Sequence, residues 1–140
     1  MPYIRPPLFV RRVFNPLAMR FGISGTEVLT VTRRRSRTPQ RLPVISVHHD
    51  GGRYLVSPRG DTDWVRNLRA TPRCTLGRRG RELPFEVTEV PVERRAPIIA
   101  AYRAVAGRAV KSFFERMPDP GDHPVFLVGP AGGASPSPAA

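Results

Sequence analysis

Short apolar runs separated by turn residues dominate the central part of the chain, and several of them alternate with polar positions. Such runs, rich in β-branched residues, predict strands rather than long helices. Asp50-Gly51-Gly52 lies between two of them and predicts a tight hairpin turn. Leu83, Phe85 and Val87 alternate with polar residues, so one face of that strand is expected to be buried. The predicted strands are residues 28–32, 42–49, 53–56, 74–76, 82–88 and 125–128.

Two stretches favour helices. Residues 64–70 carry apolar side chains on one face, and Asp61 or Thr62 is placed to cap them. Residues 93–117 predict one longer helix, with apolar positions three or four apart. These positions are Ile98, Tyr102, Val105, Ala109, Phe113 and Met117. Five or six strands with one main helix indicate a mainly β fold of the α+β class, a small antiparallel barrel covered by helix.

The flanking segments differ from this body, residues 26–129. Residues 1–25 form an arm in which apolar groups recur near helical spacing between arginines, and Pro16 divides the run. We favour packing of this arm against the domain over the alternative, contact with an anionic membrane surface. Residues 130–140 hold no charged residue and are rich in Pro, Gly, Ser and Ala, which predicts a disordered tail.

Composition narrows the classes of protein. A chain of 140 residues with 40% hydrophobic residues fits one domain with its own core. No apolar run is long enough for a transmembrane helix, and the lone Cys74 excludes an internal disulfide or a multi-cysteine metal site. We expect a cytoplasmic protein without a metal. The net charge is +12, and since Lys111 is the only lysine, 22 of the 23 basic residues are arginine, which favours an acidic partner.

The arginines are concentrated between the first two predicted strands. The connection from Arg33 to Arg41 holds five arginines in nine residues, together with Ser36 and Thr38. Guanidinium forks beside hydroxyl groups suit a phosphate or a polycarboxylate. A solvated surface loop is the alternative. No nucleophile with a matching base is indicated, because the adjacent His48 and His49 point to opposite faces of a strand.

Three motifs in order resemble a known family. The first is Thr32-Arg33-Arg34-Arg35-Ser36-Arg37-Thr38-Pro39 with the later Pro43, and the second is Asp50-Gly51-x-Arg53-Tyr54. The third is Trp64-x-x-Asn67-Leu68-Arg69-Ala70-x-Pro72. Together they are similar to the deazaflavin-dependent nitroreductase and quinone reductase family, as a divergent member. The family has glycines where this chain has Arg33 and Arg37, and an arginine where it has Gln40, with Arg41 adjacent.

The resemblance implies a split β-barrel like that of FMN-binding proteins, with reduced coenzyme F-420 as cofactor and FMN less favoured. It implies hydride transfer to a small-molecule acceptor, a quinone or nitroaromatic, and a homodimer is a further expectation. No catalytic residue is assigned. The residues implied to bind the cofactor are Arg34, Arg35, Ser36, Arg41, Pro43, Val44, Ser57, Arg59, Gly60, Trp64 and Asn67. If the family resemblance is left aside, the simplest interpretation is that Trp64 is a core residue and that Asn67 caps its helix.

Other functions stay open at this point. One is a split barrel that binds a flavin or deazaflavin without turnover. Another is nucleic-acid binding, for which the basic charge is typical, although the arginine-rich connection lacks the interleaved aromatic residues that stack on bases. A third is peripheral attachment of the arm to the inner face of the membrane.

Overall fold

The computed structural model describes residues 26–131, so the predicted arm and residues 132–140 of the predicted tail lie outside the described residues. The strands are β1 (Thr26–Thr32), β2 (Pro39–Ile45), β3 (Val47–His49), β4 (Gly52–Val56), β5 (Arg73–Gly77), β6 (Leu83–Glu89) and β7 (Val125–Pro130). The α-helices are α1 (Asp63–Ala70), α2 (Arg95–Ala106) and α3 (Arg108–Arg116), and 3-10 turns cover Val92–Arg94 and Pro120–Asp122.

The seven strands form one antiparallel sheet in the order β2-β1-β5-β6-β7-β4-β3. β2 and β3 lie at opposite edges, yet only Ser46 separates them along the chain. The sheet therefore curls until its two edges meet at this residue, which makes a split barrel. The prediction of one continuous strand over residues 42–49 is wrong, because the chain leaves its partner β1 and joins β4 at Ser46.

The hairpin between β3 and β4 is confirmed. His49 pairs with Gly52, and the two residues between them, Asp50 and Gly51, have φ of 51° and 85°. Positive φ at both central positions is the mark of a type I′ turn, in which Asn-Gly and Asp-Gly are preferred. The local sequence alone therefore fixes this turn.

Two apolar clusters lie on opposite faces of the sheet. The inner cluster fills the barrel beneath α1 and includes Leu29, Leu55, Trp64, Leu68, Leu76 and Phe126. The outer cluster lies between the sheet and the helices α2 and α3, and includes Ile45, Val56, Ile98, Tyr102 and Phe114. The expected alternation in β6 holds at the buried Val87, whereas Leu83 at the start of the strand is 61% exposed.

The long helix predicted over residues 93–117 is divided in two. Gly107, with a φ of +59°, separates α2 from α3. Ile98, Tyr102, Phe113 and Met117 are buried as predicted, but Val105 is 46% exposed and Ala109 is exposed as well. The apolar spacing continues across a point where the backbone leaves the helical region, so the spacing alone does not reveal the break.

An ionic network ties α1 to the rest of the fold. Arg69 makes two hydrogen bonds to Glu89 of β6, at 2.9 and 2.7 Å, and a third to Asp61 at 2.6 Å. The hydrogen bonds with Glu89 are the largest contribution that raises the pKa of Arg69. Glu89 also pairs with the buried Arg95 at 3.2 Å, so α1, β6 and α2 share one carboxylate.

Candidate functional site

The arginine loop, residues 33–38, is a compact turn between β1 and β2. The backbone amide of Arg33 donates to Thr38 O at 2.9 Å, and that of Arg37 donates to Arg33 O at 3.0 Å. Arg37 has a φ of +65°, the left-handed conformation that glycine adopts most readily. The loop thus keeps, at one of the two family glycine positions, the backbone that glycine would serve, and Arg33 does not need it.

Asn67 of α1 fastens this loop to the barrel. Its side chain is 3% exposed, and its Oδ1 accepts from the backbone amide of Arg34 at 3.0 Å and from Arg34 Nη1 at 2.8 Å. Its Nδ2 donates to Gln40 Oε1 at 2.9 Å. We call these three residues the Asn67 network. Asn67 is therefore a buried clamp between helix and loop, and not the solvated cap that the residue alone suggests.

The other members of the loop differ in what they leave available. Arg34 is held by the Asn67 network and lies 3.6 Å from Asp63. Ser36 Oγ lies 2.7 Å from Thr38 Oγ1, so its hydroxyl is used within the loop. Arg35 is exposed and makes no hydrogen bond or ion pair with any residue of the 26–131 range. The loop therefore presents Arg35 on a backbone that its neighbours hold in place.

The strand after the loop places the predicted residues on two faces. Val44 packs against the inner cluster, and alternation puts Pro43 on the other face, paired with Val28 of β1. Gln40 faces inward to Asn67, so Arg41 points outward, where it lies 3.6 Å from Glu82. The structure does not bring Arg41 to the Asn67 network, and Gln40, not Arg41, occupies the inward position.

The turn after β4, residues 57–60, holds three more of the residues implied to bind the cofactor, Ser57, Arg59 and Gly60. Ser57 is fully buried, and its Oγ donates to Gly60 O at 2.6 Å. Gly60 has a φ of +88°, so an L side chain there would be strained. Thr62 occupies the N-cap position of α1, but its buried Oγ1 has no hydrogen-bond partner among residues 26–131. The predicted cap therefore holds in position but not in bonding.

Aromatic residues near this turn belong to the core. Trp64 is 5% exposed and packs on Phe126 with 6.1 Å between ring centroids. A core position is what the residue type of Trp64 alone predicts. Tyr102 is equally buried, and burial raises the pKa of its hydroxyl far above the usual range, against the opposing charge of Arg59. Neither side chain is free to act on a ligand without disturbing the packing.

Two features escape the sequence reasoning. His123, which the sequence places in a loop before Pro124, is fully buried, with Nδ1 3.0 Å from Ser57 O. Glu27 and Arg53 form an ion pair on the inner face of the barrel, where Glu27 also accepts from Ser46 Oγ at 2.7 Å. Arg53 carries part of the second motif, but its contact with β1 is long-range and has no local signal.

A pocket of about 470 Å³ lies on the outer side of the sheet and is lined by Tyr54, Glu89, Pro97, Ile98 and Leu127, among others. None of the residues predicted to bind the cofactor lines it. Within residues 26–131, no three His, Cys, Asp or Glu side chains are grouped to hold a metal ion, and no helix there is long and apolar enough to span a membrane.

Known structures share this fold. A protein of unknown function from Agrobacterium tumefaciens superposes with a TM-score of 0.62 at 19% identity, over 94% of this chain and 59% of that one. A NimC/NimA family protein from Clostridium acetobutylicum gives 0.52 at 15% identity, over 83% and 87%. A structure described as a domain-swapped dimer gives 0.51 at 18% identity, over 84% and 97%. At these identities the likeness shows the fold alone.

Sequence comparison adds the family. No sequence among the curated proteins matches this chain. The model of the family described as F420H(2)-dependent quinone reductase matches residues 9–114, a stretch that contains the arginine loop, the 57–60 turn, α1, α2 and most of α3. The chain therefore belongs to the F420H(2)-dependent quinone reductase family, with coenzyme F-420 as its cofactor.

Proposed function

We propose that this protein is a reductase that binds reduced coenzyme F-420 between the arginine loop, β2 and the 57–60 turn, and that its acceptor is an electron-poor small molecule such as a quinone or nitroaromatic. Family membership supports the use of the cofactor. The choice of residues and of acceptor class is our proposal.

The observation that carries it is the combination of a fixed Arg34 and an available Arg35. Two hydrogen bonds from Arg34 to the buried Asn67 hold the loop backbone, and Arg35 projects from that backbone without a partner among residues 26–131. A guanidinium matches the oxygens of a phosphate or carboxylate in charge and geometry. The donor set therefore fits the phosphate and glutamate groups of the coenzyme, and Arg35 is the residue placed to bind them directly.

The remaining residues supply shape. Val44 has an apolar side chain on the inner face of β2, which suits one face of a planar ring. Pro43 lies on the other face, so its contribution is to the backbone path of β2. The Ser57 hydroxyl is already bonded to Gly60 O, so we assign Ser57 to holding the turn. Gly60 has no side chain, and Arg59 beside it is half-buried, so the turn combines close backbone approach with a cation.

Reduced deazaflavin, when bound, supplies the hydride. The protein then needs to orient cofactor and acceptor and to exclude water, because the cofactor carries the difficult chemistry. The arginine loop binds and orients through charge, and the Asn67 network keeps that loop from moving. Trp64 and Phe126 pack on each other in the inner cluster, which keeps the barrel interior beside α1 apolar.

Fluorescence titration of coenzyme F-420 tests the proposal, with Arg35→Ala as the variant. Loss of a charge-assisted contact should weaken binding by about 1.5–3 kcal/mol. Arg79→Ala is the matched control, since it removes the same charge from the exposed turn between β5 and β6, at the other end of β1. Equal affinities for the two variants would remove Arg35 from the site.

Turnover separates the alternatives. Oxidation of the reduced coenzyme by a quinone or nitroaromatic is the expected result, and tight binding without turnover on any acceptor would favour the non-catalytic split barrel. FMN should fail to displace the coenzyme. If DNA competes with coenzyme F-420 and Arg79→Ala weakens coenzyme binding as much as Arg35→Ala, binding depends on total charge alone. That result would instead favour a nucleic-acid-binding function.

We also propose a homodimer, which the domain-swapped dimer among the fold neighbours supports. Light scattering on the purified protein measures the mass directly. A mass of one chain, 15.6 kDa, at micromolar concentration would exclude it.

A further inference from the structure

His123 is the one histidine buried in the described fold, with no part of its side chain exposed. Its ring stacks on Phe114 of α3 with centroids 4.1 Å apart. Nδ1 lies 3.0 Å from Ser57 O, and Nε2 lies 2.5 Å from Met117 O at the end of α3. The ring thus connects the 57–60 turn to the C-terminal end of α3.

The same stretch of chain holds the turn a second time. The backbone amide of Ser57 donates to Pro124 O at 2.9 Å, so Ser57 is bonded through its amide to Pro124 and through its carbonyl to His123. The Ser57 hydroxyl then closes the turn on Gly60 O. Every polar group of Ser57 is therefore engaged, and two of the three contacts come from a segment 66 residues away.

Packing alone does not explain a histidine at this place. A leucine would also fill the space on Phe114, but it has no N–H to offer to the two buried carbonyl oxygens that face the ring, and a buried acceptor without a donor costs free energy. Both partners of the ring are acceptors, so each contact requires an N–H; a neutral imidazole supplies one of them and an imidazolium both. The polar ring is thus matched to backbone groups of two separate elements.

We propose that His123 is a positioning residue for the cofactor site: its Nδ1–H, donated to Ser57 O, holds the 57–60 turn in the form that receives coenzyme F-420. This inference rests on the proposed function, which places that turn against the cofactor. His123 itself touches no reacting atom and acts through Ser57 alone.

Three substitutions separate the two ring contacts. His123→Leu removes both ring nitrogens and with them any N–H donor. In His123→Asn the side-chain amide lies where Nδ1 was and keeps a donor for Ser57 O, whereas in His123→Gln it reaches the place of Nε2 and keeps one for Met117 O. Val110→Ala, in the buried face of α3, is the control for a general loss of core stability.

The first readout needs no cofactor. Amide hydrogen exchange of the full-length protein should be faster at Ser57, Arg59 and Gly60 in the Leu and Gln variants than in Val110→Ala, and close to wild type in the Asn variant. The second readout is the Kd for coenzyme F-420, which should rise about tenfold in the Leu and Gln variants, equivalent to ~1.4 kcal/mol. The Asn variant should stay within about threefold of wild type.

Each result decides something different. Rescue by Gln and not by Asn, or equal effects of His123→Leu and Val110→Ala on both readouts, would overturn the role of His123. Failure of the wild-type protein to bind coenzyme F-420 would overturn the proposed function, and with it the cofactor role. In that case the exchange rates still report whether His123 holds the turn, so the two failures are distinguishable.

Discussion

The substitution Arg37→Gly tests the backbone of the arginine loop directly. Arg37 has a φ of +65° on an exposed turn, and its only side-chain hydrogen bond within residues 26–131 is to Thr71 Oγ1 at 3.3 Å. A left-handed L-residue is roughly 1–2 kcal/mol less stable than the right-handed form. Glycine avoids this strain, but it loses about 0.5–1 kcal/mol through its greater freedom in the unfolded chain. The net expected gain is about 0–1.5 kcal/mol, with a midpoint of about 0.75 kcal/mol.

Arg37→Ala separates the backbone from the side chain. Alanine removes the guanidinium and its exposed contact to Thr71 but keeps the strained φ, so it should be neutral or slightly less stable than the wild type. The glycine variant should therefore exceed the alanine variant by about 1 kcal/mol in free energy of unfolding. For a domain of this size that difference raises Tm by about 4 °C.

Scanning calorimetry and urea unfolding of the three proteins at one pH measure the effect. The slope of free energy against urea should be the same for all three, which shows that the unfolded state is unchanged. The Arg37 guanidinium is hydrogen-bonded to Thr71. Both variants should therefore bind coenzyme F-420 with an affinity of the same order of magnitude as the wild type. Identical unfolding free energies for the glycine and alanine variants would refute a strained Arg37.

Three further predictions concern other parts of the chain. Asn67→Ala should lower the free energy of unfolding by about 2–4 kcal/mol in urea, since Arg34 and Gln40 lose three partly buried hydrogen bonds; a loss under about 0.5 kcal/mol would contradict the clamp. Burial raises the pKa of the Cys74 thiol to about 11, so iodoacetamide at pH 8 should label it in urea and not in the folded protein; rapid labelling of the folded protein would show the thiol to be accessible. If the arm contacts anionic membranes, a chain starting at Gly22 should float less with anionic liposomes than the full chain, and equal flotation would exclude that contact.

The elements that the sequence predicts well are those with local causes. The hairpin at Asp50-Gly51 follows from two residues that tolerate positive φ, and α1 follows from its apolar face and the stop at Pro72. The long helix fails because periodic spacing says nothing about the backbone at Gly107. The strand over residues 42–49 fails for a different reason, since its partner changes at Ser46 and no local feature marks that exchange.

The candidate site divides in the same way. The motif that contains Asn67 is visible in the sequence, but its partners are not, because the bonds to Arg34 and Gln40 span 33 and 27 residues. Gln40 and not Arg41 faces inward because of the strand register, which fixes the face of every side chain in β2. His123 shows the limit most clearly, because only tertiary packing makes a histidine before a proline into a buried link to Ser57.

The place of β7 in the sheet governs how the barrel is completed during folding. β7 lies between β6 and β4, although it follows both along the chain, and it pairs Tyr54 with Leu127 across more than 70 residues. Until β7 arrives, β4 and β6 each keep an unpaired edge, and such edges are open to strands from other chains. Closure over this distance is also a slow step. Two partly folded molecules that meet at this stage can therefore swap β7, so that the β7 of each chain completes the barrel of the other.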